Sequence, residues 1–183
     1  MVCFILYVLY FYNNRNKSEK LSKILLNNFN IERIYSKNQN YTIVNLNKNS
    51  NPFVIGILEI PKINLKYPIL SNTTNDALKI SPCRFYGPYP NEVGNLCIAA
   101  HNYDDNRFFG NLNKLSVGDF VNINCMDNSC IVYTIYNKFE ISESNIECTN
   151  QNTMGKKEIT LITCNNINKN RLVVKAKEKQ EKF

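Results

Sequence analysis

Residues 158–177 read "EITLITCNNINKNRLVVKAK". The first seven are dominated by β-branched and apolar side chains, as a buried strand is, and they stop on a cysteine, Cys164. An Asn-rich loop follows, and Arg171 opens a second strand-like run. A thiol where one strand ends, beside a cation that cannot be titrated away where the next begins, supplies two parts of a nucleophilic site. The thiol can attack once it is a thiolate, and the guanidinium can hold a carbonyl or steady an oxyanion. Each residue also has an ordinary reading. Free cysteines are usually small buried hydrophobes, and an arginine at a strand edge is commonplace.

The neighbouring segments set the fold class. "FVIGILEI" (53–60) and "LKYPIL" (65–70) read as strands separated by "PKIN", and "NLCIAAHN" (95–102) follows a turn-like "PYPNEVG". "DFVNINC" and "CIVYTIYNKFEIS" flank "MDNS" and read as a hairpin. Between them, "RFFGNLNKL" (107–115) sets Phe108, Leu112 and Leu115 at helical spacing, with Gly118 to close the element. Many short strands with one or two short helices, and no alternation of strand and helix, predict a mostly-β barrel or sandwich. This pattern spans residues 52–178 and leaves 179–183 as a charged tail.

Upstream of Phe53 the texture differs. "MVCFILYVLYFY" (1–12) is wholly apolar and aromatic, then gives way to "NNRNKSEK". A membrane-spanning helix needs about 20 such residues, and the run lacks the basic start and small-residue cleavage site of a secretory signal. It reads as the tail of an anchor whose start lies upstream, with an interfacial segment and an ordinary buried element as alternatives. The aromatic residues near the polar boundary suit a membrane interface. Arg15, Lys17, Lys20 and Lys23 oppose export of the downstream chain unless more basic residues precede the apolar run. Residues 1–17 are thus expected to be an apolar anchor with its polar boundary. Residues 18–51 are expected to form a juxtamembrane helix, with Ser18 as N-cap and Leu21, Ile24, Leu25 and Phe29 on one face, followed by an Asn/Lys-rich linker.

Composition narrows the chemistry. The 183 residues are 44% hydrophobic and carry a net charge of +7, which excludes wholesale disorder and suits an anionic neighbour such as a membrane or wall polymer. The basic residues are scattered and no nucleic-acid-binding motif accompanies them, so nucleic acid is not an expected partner. The single histidine, His101, ends the run 95–102 and can pair with Cys164 as a thiolate–imidazolium couple. Of the other six cysteines, Cys125 and Cys130 flank the "MDNS" turn, where a cross-hairpin disulfide or zinc are the alternatives to unpaired thiols. Zinc would need two more ligands, and His101 cannot serve without leaving the proposed catalytic pair.

At these residues a family resemblance emerges. "TLITC" (160–164) resembles the Thr-Leu-x-Thr-Cys signature of the sortases, cysteine transpeptidases of Gram-positive bacteria. "GNLCIAAHNYDDNRFFGNLNKLSVGDFV" (94–121) is similar to their histidine region, and "RLVVKAK" (171–177) to their arginine-bearing last strand. The likeness runs in order over roughly residues 52–178 and implies an eight-stranded β-barrel. It implies Cys164 as nucleophile, His101 as acid/base partner, Arg171 as the group that positions substrate and steadies the oxyanion, and Thr163 as a substrate or oxyanion contact. No metal and no organic cofactor would be needed. The implied reaction is cleavage of a Leu-Pro-x-Thr-Gly-like sorting signal on a secreted protein through a thioacyl-enzyme. The acyl group would then pass to an amino group of a cell-wall precursor, on the extracellular face of a membrane-anchored enzyme.

Three features depart from the family pattern, and the short interval between His101 and Cys164 disfavours the subgroup with a long helical insertion there, so a class D-like or otherwise divergent member is expected. Ala100 replaces a frequent Gly before the histidine, the loop from Cys164 to Arg171 is short, and no aromatic lid precedes the barrel. Two other function classes fit the same residues. One is a cysteine hydrolase with water as acceptor, and the other is a non-catalytic wall-binding barrel in which Cys164 is buried and inert.

Overall fold

The computed structural model describes residues 2–38, 52–165 and 169–180. A long helix, α1 (Val2–Asn38), precedes β1 (Val54–Ile60), β2 (Leu65–Leu70), a short α2 (Asn75–Ile80) and β3 (Cys83–Tyr86). Then come β4 (Gly94–Ala99), β5 (Phe120–Asn124), β6 (Cys130–Ile141), β7 (Lys157–Cys164) and β8 (Arg171–Glu178). The strands close into a barrel in the order β1-β2-β3-β4-β7-β8-β6-β5, with β5 paired back onto β1. Closure leaves no long unpaired edge. The eight-stranded, mostly-β barrel expected from the sequence is the observed fold.

The strands follow from their side-chain periods. Val121 and Ile123 of β5 and Ile131, Tyr133 and Ile135 of β6 alternate inward and are buried, with more polar neighbours facing out. Strand β7 is buried on both faces. Ile159 and Leu161 join the main core, whereas Ile162 packs with Cys97, Cys148 and Val173 in a second cluster. A buried polar network ties the β6–β7 connection to β4. Asn95 Nδ2 donates to the carbonyls of Cys148 and Asn150 at 3.0 and 3.1 Å, and Thr160 Oγ1 donates to Asn95 Oδ1 at 2.7 Å. Gln151 Oε1 accepts from the Asn95 amide at 3.1 Å, and its Nε2 donates to the Asn95 carbonyl at 2.9 Å. A fully satisfied network of this kind fixes a loop that would otherwise be held by backbone alone.

Several local expectations are corrected. Residues 107–115 form turns and a 3-10 segment at Leu112–Lys114 rather than an α-helix. Asn106 and Phe108 adopt φ of 68° and 49°, which a right-handed helix cannot accommodate. Phe108, Leu112 and Leu115 are nevertheless buried in the main core. Strand β4 ends at Ala99, so His101 lies two residues beyond it. No correction is needed for the cysteines that flank the "MDNS" turn: Cys125 is buried, Cys130 is exposed, and both are free thiols, the reading favoured over a disulfide or zinc.

Helix α1 runs unbroken through the expected division between residues 1–17 and 18–51. Residues 39–51, with the apolar patch at 41–46, and the tail end 181–183 lie outside the described residues. No helix among the described residues is long and apolar enough to cross a membrane. Phe4 to Tyr12 are all exposed, and Tyr10 and Phe11 flank a surface cavity that Ile80, Tyr103 and Arg107 also line. Ser18 sits in mid-helix rather than at an N-cap. The face that meets the barrel carries Ser18, Ser22, Leu25 and Phe29, while Leu21 and Ile24 face outward. The switch from Leu21 and Ile24 to the serines has a physical reason: the surface below offers carbonyl oxygens that need donors, and these are supplied by hydroxyls.

Candidate active site

Register brings the sequence-predicted residues together. In the antiparallel β7–β8 pair, Cys164 is the direct partner of Arg171. In the parallel β4–β7 pair, Ala99 faces Ile162. One residue on, the Ala100 amide donates to the Ile162 carbonyl at 3.2 Å and Thr163 Oγ1 donates to the Ala100 carbonyl at 2.7 Å. Continuing that register sets His101 beside Cys164. Asn102 Nδ2 closes the arrangement by donating to the Cys164 carbonyl at 2.8 Å. His101, Thr163, Cys164 and Arg171 line one cavity of about 190 Å³, with Thr73, Leu78 and Phe85 on its far wall.

Cys164 is exposed at the end of β7. Four other thiols, Cys83, Cys97, Cys125 and Cys148, are buried. Burial pushes Cys83 and Cys97 up to about 12 and also raises Cys148, so these three stay protonated and inert. The wall-binding alternative, which requires a buried Cys164, loses its main premise.

His101 is half-buried, and its backbone is held by the Phe109 amide, which donates to the His101 carbonyl at 3.1 Å. Its ring lies 5.2 Å from that of Tyr103, and the Arg107 guanidinium stacks 4.2 Å from the other ring. Desolvation first, then the charges of Arg107 and Lys79, hold the imidazole below its ordinary value of 6.5. His101 therefore rests neutral at pH 7, able to accept a proton from the thiol.

Arg171 is 28% exposed and lies 3.8 Å from Glu143, whose carboxylate is 76% exposed. So long and wet an ion pair is worth about 1 kcal/mol or less, and a substrate oxygen can displace it cheaply. The base of the β7–β8 loop is braced by Glu140, which accepts from Asn165 Nδ2 at 2.6 Å and from Asn170 Nδ2 at 3.4 Å. The crown of that loop, residues 166–168, lies outside the described residues.

Sequence reasoning missed Asn102, the wall made by Thr73, Leu78 and Phe85, and the whole of α2 and β3. A signal existed in "TTNDALKISP" (73–82): Thr74 caps α2 by accepting from the Ala77 amide at 3.0 Å, Asp76 sits in the first turn, and Pro82 lies beyond the end. Among the described residues no group of three or more His, Cys, Asp or Glu is placed to hold a metal ion.

A barrel whose exposed strand-end thiol faces an arginine across one strand pair and a histidine across the other has the make-up of a cysteine acyl-transfer enzyme. The Sortase domain family matches residues 58–179, and the chain belongs to the sortase family of cysteine transpeptidases. Among solved structures it is similar to a Clostridium perfringens sortase D5 transpeptidase, at 30% identity and a TM-score of 0.75, covering 88% of this chain and 100% of that one. It is also similar to Streptococcus agalactiae sortase C1 in complex with MTSET, at 27% identity and a TM-score of 0.61, covering 71% of each chain. Sortase A from Corynebacterium diphtheriae shares the fold at 22% identity and a TM-score of 0.65, covering 73% of this chain and 64% of that one. No curated protein matches the chain.

Proposed function

We propose that this sortase cleaves a Leu-Pro-x-Thr-Gly-like signal with Cys164 as nucleophile, His101 as acid/base and Arg171 as the oxyanion and positioning group. His101 takes the thiol proton, and the thiolate attacks the threonyl carbonyl carbon. As the tetrahedral intermediate collapses, the C–N bond breaks and His101 returns the proton to the leaving amine. An acceptor amine then attacks the thioester while His101 takes its proton, the C–S bond breaks, and His101 hands that proton to the departing Cys164 thiolate, restoring the starting thiol and neutral imidazole. Arg171 faces the carbonyl that gains charge in both halves. Thr163 contributes a contact through its methyl group and hydroxyl lone pairs, because its proton is engaged by the Ala100 carbonyl. No organic cofactor enters the scheme.

The partners proposed are secreted proteins with a C-terminal sorting signal and a cell-wall precursor that supplies the amine. The likeness to a class D enzyme and the absence of a large insertion between His101 and Cys164 support a class D-like assignment. The exposed apolar run Phe4–Tyr12 supports attachment to the cell membrane through the N-terminal segment, with the barrel on the extracellular face. Residues 52–178 form the catalytic unit.

The observation that carries this reading is the exposed Cys164 held between His101 and Arg171 in one cavity. Incubation with a panel of such peptides, with and without an added amine, read by mass spectrometry, tests it. Amide products with the amine support the transferase. Carboxylic acid products alone, unchanged by amine, would favour the hydrolase. No acyl adduct on Cys164 with any peptide would overturn both.

A further inference from the structure

Helix α2 forms part of the wall of the catalytic cavity, and its position depends on α1. With only six residues, α2 is far below the length at which a helix holds itself together, so tertiary contacts must place it. Its C-terminal carbonyls also lack partners within the helix. Two of these are satisfied by α1: Ser18 Oγ donates to the Lys79 carbonyl at 2.5 Å, and Ser22 Oγ donates to the Ile80 carbonyl. Spaced four residues apart, the two hydroxyls lie on one helix face. Leu25 continues that face and packs against a cluster of Leu70, Ala77 and Cys83, against which Leu78 and Ile80 also pack. Leu78 is the residue that reaches the cavity holding Cys164 and His101. Contacts therefore run without a gap from α1 through α2 to the catalytic cavity.

We infer that α1 is a strut for the substrate groove, and that Ser18 and Ser22 are positioning residues for peptide binding. This rests on the proposed reading of the cavity as a peptide site. Neither serine lines the cavity, so neither takes part in the chemistry. Removing the hydroxyls strands two carbonyls at a buried interface and lets α2 leave its docked position. Peptide then binds only the docked fraction, so apparent affinity falls by that fraction while the Cys164–His101–Arg171 geometry persists.

The test is S18A/S22A in the full chain, with S18A alone as a second variant in case the double variant does not fold. Loss of two hydrogen bonds is expected to raise KM for a sorting-signal peptide about tenfold. Both kcat and the rate at which a small methanethiosulfonate modifies Cys164 should stay within about twofold, the spread expected from side-chain changes remote from the chemistry. Ser→Thr at 18, which keeps the hydroxyl, should restore KM. Amide hydrogen exchange in residues 75–80 should quicken in the alanine variants and slow again in the threonine variant. A KM unchanged within twofold, or a kcat that falls in step with KM, overturns the inference. Unchanged exchange at 75–80 also overturns it, and that readout needs no substrate. A wild type that cleaves no peptide would count against the transpeptide reading alone.

Discussion

Cys164 and Arg171 are direct partners in the β7–β8 ladder, so the proposed nucleophile and the cation next to it are fixed by strand register. Among the described residues, the ion pair that Arg171 makes is with a distant, exposed carboxylate. In the proposed role the value of Arg171 lies in the planar fork of donors it can turn toward a developing oxyanion. Arg171→Lys keeps the charge and loses the fork. Turnover of a sorting peptide should drop by about ten- to a thousandfold, the cost of one oxyanion-type contact. Wild-type turnover in the lysine variant would reduce Arg171 to a structural cation.

Thiol reactivity should sort by burial. Cys3, Cys130 and Cys164 are exposed, whereas Cys83, Cys97, Cys125 and Cys148 are not. A thiol-specific reagent on the native protein should modify the first three and spare the other four, as mass spectrometry of digests would show. With Cys3 and Cys130 replaced by serine, peptide cleavage should persist and the acyl adduct should map to Cys164 alone. Cys164→Ala should abolish cleavage with the circular dichroism spectrum unchanged. An adduct on Cys97 or Cys148 would be incompatible with the proposed nucleophile.

The pH dependence is readable because there is one histidine in the chain. Burial, Arg107 and Lys79 lower the folded pKa of His101. Between the folded midpoint and about 6.5 the unfolded chain then binds more protons. The stability this group contributes is full above about 6.5 and is lost as pH falls through the folded midpoint. NMR titration of the His101 ring should give a midpoint below 6.5, and Arg107→Gln should move it upward. A midpoint at or above 6.5 in the wild type would contradict the environment described for the ring.

Deleting residues 1–51 should leave a folded, soluble barrel, since all eight strands lie downstream. The deletion uncovers the surface under Leu25 and Phe29, a burial worth roughly 2–4 kcal/mol, so Tm should fall by roughly 10 °C. Circular dichroism melts of the two forms give the comparison. A deletion that unfolds the barrel would place α1 inside the folding unit and move the domain boundary upstream.

The parts of this molecule legible in its sequence are those where one side-chain period dominates. The alternation through Val121, Ile123, Ile131 and Tyr133 gave the β5–β6 hairpin, and the runs ending at Cys164 and beginning at Arg171 gave β7 and β8. The spacing of Phe108, Leu112 and Leu115 reported their burial correctly but not their conformation. Positive φ at Asn106 and Phe108, set by tertiary packing, overrode the local pattern. α2 and β3 were too short to stand out by periodicity, although the Thr74 cap marked where α2 starts. On α1 the apolar spacing pointed to Leu21 and Ile24, yet the docked face uses Ser18 and Ser22, because the needs of a distant helix end are invisible to local pattern. The grouping of Cys164, His101 and Arg171 could be read from family likeness. Their closeness depends on the β4–β7 and β7–β8 registers, which no local signal encodes.

The unbroken course of α1 has a geometric consequence for the proposed membrane attachment. The helical rise from Tyr12, where the apolar run stops, to Arg15, which pairs with Asp105 of the barrel at 3.5 Å, is about 4.5 Å. With the apolar run in lipid, that rise sets a stand-off between bilayer and barrel, and the face bearing Ser18, Ser22, Leu25 and Phe29 sets the barrel's rotation about the helix axis. Under the proposed membrane attachment, height and heading of the groove are then both set, so the enzyme would sweep a thin layer just above the headgroups instead of searching the depth of the wall.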